Sequence, residues 1–152
     1  MKKSQILDQI KEAIGKEIGI SEWMEITQDR INAFAECTED RQWIHINEEM
    51  AKKSPFKKTL AHGYLILSLL SHFNFQNKFL PDGIKMAFNY GLNRVRFINP
   101  VPVGSKIRNR AVLKDVIKKS RHKILIVLEN TVEIKGQKKP AMVAESLALI
   151  II

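Results

Sequence analysis

An acid and an imidazole stand five positions apart in Asp40-Arg-Gln-Trp-Ile-His45, and a second imidazole follows in Leu60-Ala-His62-Gly63. A carboxylate accepts protons, and an imidazole gives or takes one near neutral pH because its ordinary pKa is about 6.5. Together they are parts for acid–base chemistry on a carbonyl compound. Gly63 opens the most apolar helix predicted in the chain, and amides of a first helical turn have no acceptor within the helix. Spacing alone also allows blander roles: Asp40 capping a turn, His45 packing in a core, Gly63 starting a helix.

Other polar and aromatic residues nearby carry weaker signals. Trp43 either lines a pocket or anchors its loop, with packing the safer reading. Asn47 follows His45 closely enough to orient it. Ser71 lies within Leu69-Leu70-Ser71-His72-Phe73, where a hydroxyl can bond back to its own helix. Cys37 sits in a helical run, Ala33 to Cys37, and reads as a small buried apolar residue. The four histidines and the single cysteine show no metal-ligand spacing, so no metal is expected.

The elements that must position these residues follow from periodicity. Ile6, Leu7, Ile10 and Ile14 recur at helical spacing, so residues 1–15 form a helical extension at the N-terminus. Lys16 to Ile26 alternates and predicts one strand. Thr27 is a suitable N-cap for a helix carrying Ile31, Phe34 and Ala35, which gives out near Thr38-Glu39-Asp40. Glu48 to Lys53 predicts a short helix stopped at Ser54-Pro55. Leu65 to Phe79 is apolar on nearly every side and predicts one long buried helix. Four strands then follow in meander-like succession: Lys85–Phe97, Lys106–Lys118, Arg121–Lys135 and Ala141–Ile152. The order implies an α+β fold, with an antiparallel sheet wrapped on a central helix.

Composition narrows the class of function. At 152 residues, 45% apolar and 27% charged, the chain reads as a single globular domain, 1–152. Its net charge of +9 is scattered, and no zinc-finger spacing or aromatic–basic interleaving suggests a nucleic-acid partner. The charge instead suits a solvated surface or attraction of a phosphorylated small molecule. With one cysteine, no signal-peptide pattern and no membrane-length apolar run, a cytoplasmic protein without a membrane partner is expected.

The strings Ile26-Thr-Gln-Asp-Arg-Ile31, Asp40 to His45, Leu60-Ala-His-Gly63 and Tyr90-Gly-Leu-Asn-Arg-Val-Arg-Phe97 resemble MaoC-like dehydratases, most of all the branch related to the nodulation protein NodN. Pro100-Val-Pro-Val-Gly104 and Lys139 through Glu145 extend the similarity over roughly residues 16–150. The resemblance implies a hotdog fold, a curved antiparallel sheet around a long helix, and homodimers or higher oligomers whose sheets join. It implies (R)-specific hydration of a trans-2-enoyl-CoA, or dehydration of a (3R)-hydroxyacyl thioester. Asp40 and His45 then form the catalytic pair, and Gly63 offers its N–H to the thioester carbonyl. Ser71 supports the site's hydrogen bonds, and His62 is a structural or pocket-lining residue. No cofactor is implied beyond the CoA or acyl-carrier-protein thioester that is the substrate. A hotdog thioesterase and a non-catalytic acyl-thioester-binding protein are the alternatives.

Overall fold

Alternating apolar positions make the long strands of the C-terminal half, and antiparallel pairing turns one row of each toward the helices. The computed structural model describes residues 3–152, so the first two residues of the expected extension lie outside it. Its helices are α1 (Lys3–Lys11), α2 (Gln28–Thr38), α3 (Trp43–Ile46), α4 (Glu48–Lys53), α5 (Gly63–Ser68) and α6 (Leu70–Gln76). Its strands are β1 (Glu17–Ile20), β2 (Met24–Glu25), β3 (Met86–Phe97), β4 (Lys106–Lys118), β5 (Lys123–Ile134) and β6 (Met142–Ile151). This is the expected α+β architecture. Among the described residues no helix is long and apolar enough to cross a membrane.

The strand order is β1-β4-β5-β6-β3, with β2 also on β4 and every pair antiparallel. Strands β4, β5 and β6 meander as expected. Strand β3 does not pair with β4: it lies beyond β6, so the segment 98–105 must cross one end of the sheet. Two prolines in that segment lack the N–H a tight hairpin ladder needs, which favours a crossing over a hairpin. The crossing segment holds residues 59–61: Ala61 N–H donates to the Val101 carbonyl (2.8 Å) and Val103 N–H to that of Thr59 (2.9 Å). This strap runs directly into α5.

Two apolar clusters fill the inner face. One packs Leu65, Ile66, Leu70 and Phe73 of α5 and α6 on Ile107, Val132 and Met142. The other packs Ile6 and Ile10 of α1 on Leu113, Val116, Ile126 and Ile150. A string of amides lies across the sheet between strands and helix: Asn109 Nδ2 donates to Asn74 Oδ1 (3.0 Å) and Asn130 Oδ1 (2.9 Å), and Asn130 Nδ2 to Ser146 Oγ (2.8 Å). These bonds tie α6 to β4, β5 and β6 at one register.

Four expectations need correction. The Lys16–Ile26 strand is two strands, because the chain takes four steps from Ile20 to Met24 while its partner takes three from Arg110 to Ile107. The surplus residue is absorbed at Ser21–Trp23, where Ser21 Oγ accepts the Asn109 N–H at 2.9 Å. The long helix is interrupted at Leu69, just after Ser68 Oγ donates back to the Tyr64 carbonyl (2.7 Å), a contact that loosens and bends helices. Nor is that helix buried all round, since Tyr64 is 69% and Phe75 87% exposed. Cys37 is exposed, not buried: the buried face of α2 is that of Ile31 and Ala35.

Ile10 is 1% exposed and anchors α1 on the second cluster. Ile10→Ala is expected to cost about 2–5 kcal/mol of unfolding free energy, read by urea denaturation. A loss below about 0.5 kcal/mol, the range of surface substitutions, would show that α1 does not seal this core.

Candidate active site

Helix α2 starts at its predicted cap, with Thr27 Oγ1 accepting the Arg30 N–H at 3.3 Å. It stops at Glu39, which takes a left-handed conformation (φ 61°, ψ 13°), at a cost on the order of 1–2 kcal/mol for a non-glycine residue. That turn delivers Asp40 to the mouth of the site, with its side chain 51% exposed. One turn later α3 carries His45 inward, leaving it 7% exposed.

His45 is held from three directions. Its Nδ1 donates to the Leu60 carbonyl at 2.6 Å, and the Leu60 N–H donates in turn to the Ile44 carbonyl at 2.9 Å. Its own carbonyl accepts from Gln28 Nε2 at 2.8 Å, while Thr59 Oγ1 donates to Gln28 Oε1 at 2.5 Å. Its ring face stacks on His62, centroids 3.7 Å apart and planes at 23°.

The carbonyl partners fix the tautomers, because a carbonyl oxygen only accepts. His45 must carry its proton on Nδ1, so in the neutral ring the Nε2 lone pair is left for chemistry. His62 must carry its proton on Nε2, which donates to the Asp40 main-chain carbonyl at 2.9 Å. The Nδ1 of His62 is buried and without a partner, a cost on the order of 1–3 kcal/mol. That nitrogen is shielded from solvent. Of the two imidazoles, His45 is the one able to react.

Burial pushes the pKa of His45 below its ordinary value. The Leu60 carbonyl opposes this, His62 adds to it by like-charge repulsion, and Asp40 opposes it weakly. His45 is therefore held neutral, able to accept a proton or a water hydrogen bond at neutral pH. Donor atoms of Asp40, His45 and His62 lie within 4.8 Å of one another. One nitrogen of each ring is already taken by a carbonyl, and the other nitrogen of His62 is buried.

Gly63 follows His62 as the first residue of α5, and among the described residues its N–H has no protein acceptor. A Cβ there would lie 3.2 Å from the Phe97 ring, which itself meets Tyr64 edge-on at 5.9 Å. Asp40, His45, His62 and Gly63 thus come together. Two of the other expected residues, Asn47 and Ser71, make their hydrogen bonds elsewhere. Asn47 does not orient His45: its Oδ1 accepts the Met50 N–H at 3.0 Å as the N-cap of α4. Ser71 does not bond to its own helix but to Asn89 of β3, whose Nδ2 donates to its Oγ at 3.1 Å. Trp43 starts α3 and is 37% exposed. Sequence reasoning missed Gln28, Thr59 and the Leu60 carbonyl. The Ile26–Ile31 string contained Gln28, but nothing local says that its amide spans to His45.

The family model described as "MaoC like domain" matches residues 9–136. 3-Hydroxyacyl-thioester dehydratase Z of Mycobacterium tuberculosis is 44% identical over 135 residues, 89% of each chain. Nodulation protein N of Rhizobium leguminosarum bv. viciae is 41% identical over 145 residues, covering 95% of this chain and 90% of that one. The (R)-hydratase of A. caviae involved in PHA biosynthesis shares the fold, with a TM-score of 0.70 at 20% identity over 86% of this chain and 95% of that one. The chain therefore belongs to the MaoC-like dehydratases, as a hotdog-fold enzyme of the branch that includes dehydratase Z and nodulation protein N.

Proposed function

We propose that this enzyme adds water to a trans-2-enoyl thioester with (R) specificity, and in reverse dehydrates a (3R)-hydroxyacyl thioester. The observation that carries the reading is the fixed tautomer of His45, which leaves its Nε2 lone pair free in a cluster where the ligand atoms of Asp40, His45 and His62 lie within 4.8 Å of one another. Asp40 accepts a proton from a water shared with His45 as the water oxygen bonds to the β-carbon. His45 Nε2 accepts the water's other hydrogen bond and orients it, and the proton taken up by Asp40 passes to the α-carbon on the same face, so the addition is syn and Asp40 returns to the carboxylate. Gly63 N–H donates to the thioester oxygen as it becomes enolate-like, where a fixed donor acts most strongly. The thioester, on CoA or on acyl carrier protein, is substrate, and this chemistry calls on no metal or redox cofactor.

The enzyme acts as a homodimer on this reading. Strand β3 offers an open edge beyond β6, and Met86, Phe88, Leu92 and Phe97 along it are each 46–53% exposed. Open apolar edges invite pairing with another strand, and a second copy supplies it. Tyr64 and Phe97 join this edge to Gly63, so the partner would also wall the acyl site. Cytoplasmic residence fits the lone cysteine. Basic residues such as Arg108, Arg110 and Lys114 are paired with glutamates across the sheet, which supports a solvated surface and no nucleic-acid partner.

Asp40→Asn and His45→Ala are each expected to lower kcat for crotonyl-CoA hydration by about 10²–10⁴-fold, the size of a general acid–base contribution. Because Asp40 is half exposed, its variant should stay within about 0.5 kcal/mol of the parent in stability. Full activity in both variants would remove the dyad from the mechanism. A thiol-trapping assay run in parallel, with enoyl chains from C4 to C16, separates hydration from thioester hydrolysis, and acyl-CoA binding with no turnover would mark a binding protein.

The pH dependence follows from the depressed pKa of His45. The folded state prefers the neutral ring, so this group's stabilising contribution is full above the ordinary value of 6.5 and is lost as pH falls through the lower folded value. The acid limb of kcat/KM should likewise have its midpoint below 6.5. A limb centred above 6.5 would contradict a neutral, buried His45.

Light scattering of the intact enzyme should give about twice the 17.5 kDa chain mass. Leu92→Lys, a change at a residue exposed in the single chain, should shift it to monomer and remove activity. A monomeric, fully active wild type would overturn the dimeric site.

A further inference from the structure

We propose that His62 is a positioning residue that holds both members of the dyad at once, one through its ring edge and the other through its ring face. The inference rests on the Asp40–His45 reading and goes beyond it by assigning the second imidazole a task. Three observations support it. The Nε2–H of His62 donates to the main-chain carbonyl of Asp40 at 2.9 Å, which pins the residue just after the left-handed turn that ends α2. Its ring face lies on that of His45 at 3.7 Å, nearly parallel. It also meets the Phe34 ring of α2, centroids 4.9 Å apart and planes at 54°, so rings from two elements contact it.

A residue serving only to fill the core would not be a histidine here. Its Nδ1 is buried with no partner, and an apolar ring of the same shape would avoid that loss. The nitrogen that is used explains why the imidazole is present. The first residue of α5 follows directly, so one rigid turn sets Asp40, His45 and the Gly63 amide relative to one another. The groups facing His45 are the His62 ring, the Asp40 carboxylate and the Leu60 carbonyl. Arg41, the neighbouring cation, is turned away to Glu36 at 3.0 Å. Protonating both stacked rings is unfavourable, so His62 also helps keep His45 neutral.

Two variants separate the edge from the face. His62→Gln keeps an N–H that can reach the Asp40 carbonyl and loses the stack; His62→Phe keeps the stack and loses the donor. Each is expected to lower kcat about 10- to 100-fold, the effect of small misplacement of reacting groups, with KM changed less than about twofold. In His62→Gln the acid limb of kcat/KM should move to higher pH, because the coupling to His62 that lowers the His45 pKa is lost. Nuclear magnetic resonance titration of the His45 ring nitrogens in wild type and His62→Gln reads the same coupling without turnover. Unchanged kcat in both variants, with an unmoved His45 titration, would make His62 a packing residue only. If instead Asp40→Asn and His45→Ala keep activity, the dyad itself fails, and the titration still decides whether the two rings are coupled.

Discussion

The hydrogen bond from His45 Nδ1 to the Leu60 carbonyl is the constraint on which the site depends. It selects the tautomer, aims Nε2 away from the strap, and offsets part of the desolvation that holds the ring neutral. A carbonyl does this better than a carboxylate would. It accepts one proton bond without adding a full charge that would draw His45 toward imidazolium.

That carbonyl is fixed because residues 59–61 are held on both sides. Towards the helices, Leu60 N–H bonds to Ile44 and Thr59 Oγ1 to Gln28. Towards the sheet, Ala61 and Val103 exchange bonds with Val101 and Thr59. The β3–β4 crossing therefore has a chemical consequence. Had β3 and β4 formed a simple hairpin, the Pro100–Gly104 segment would not lie across the end of the sheet to receive the strap. The two apolar clusters set the sheet that makes this crossing rigid, and α1 completes the second of them.

The site also explains two locally unfavourable features. Glu39 adopts a left-handed backbone without being glycine, and His62 buries a nitrogen with no partner. Strained or unsatisfied groups persist where surrounding structure over-determines them, and they gather at functional sites. Here both flank Asp40, one through the chain and the other through a hydrogen bond to its carbonyl.

The residues at the centre of the site were legible in the chain itself. Asp40, His45 and Gly63 stood out because their chemistry and local setting are written in adjacent letters, and the long strands stood out because alternation repeats over ten or more positions. The helix caps at Thr27 and the stop near Glu39 were equally local. What escaped was every feature decided by partners distant in sequence. Gln28 gives no sign that its amide spans 17 residues to His45. The paired fates of Ser68, which bonds back to its helix, and Ser71, which reaches β3, depend on which face of the helix meets the sheet. Sequence picked out the carboxylate, the two imidazoles, the glycine at the start of α5 and the class of fold. Tertiary structure alone decided which imidazole keeps a usable lone pair, because that depends on which ring nitrogen meets a carbonyl fifteen or more residues away.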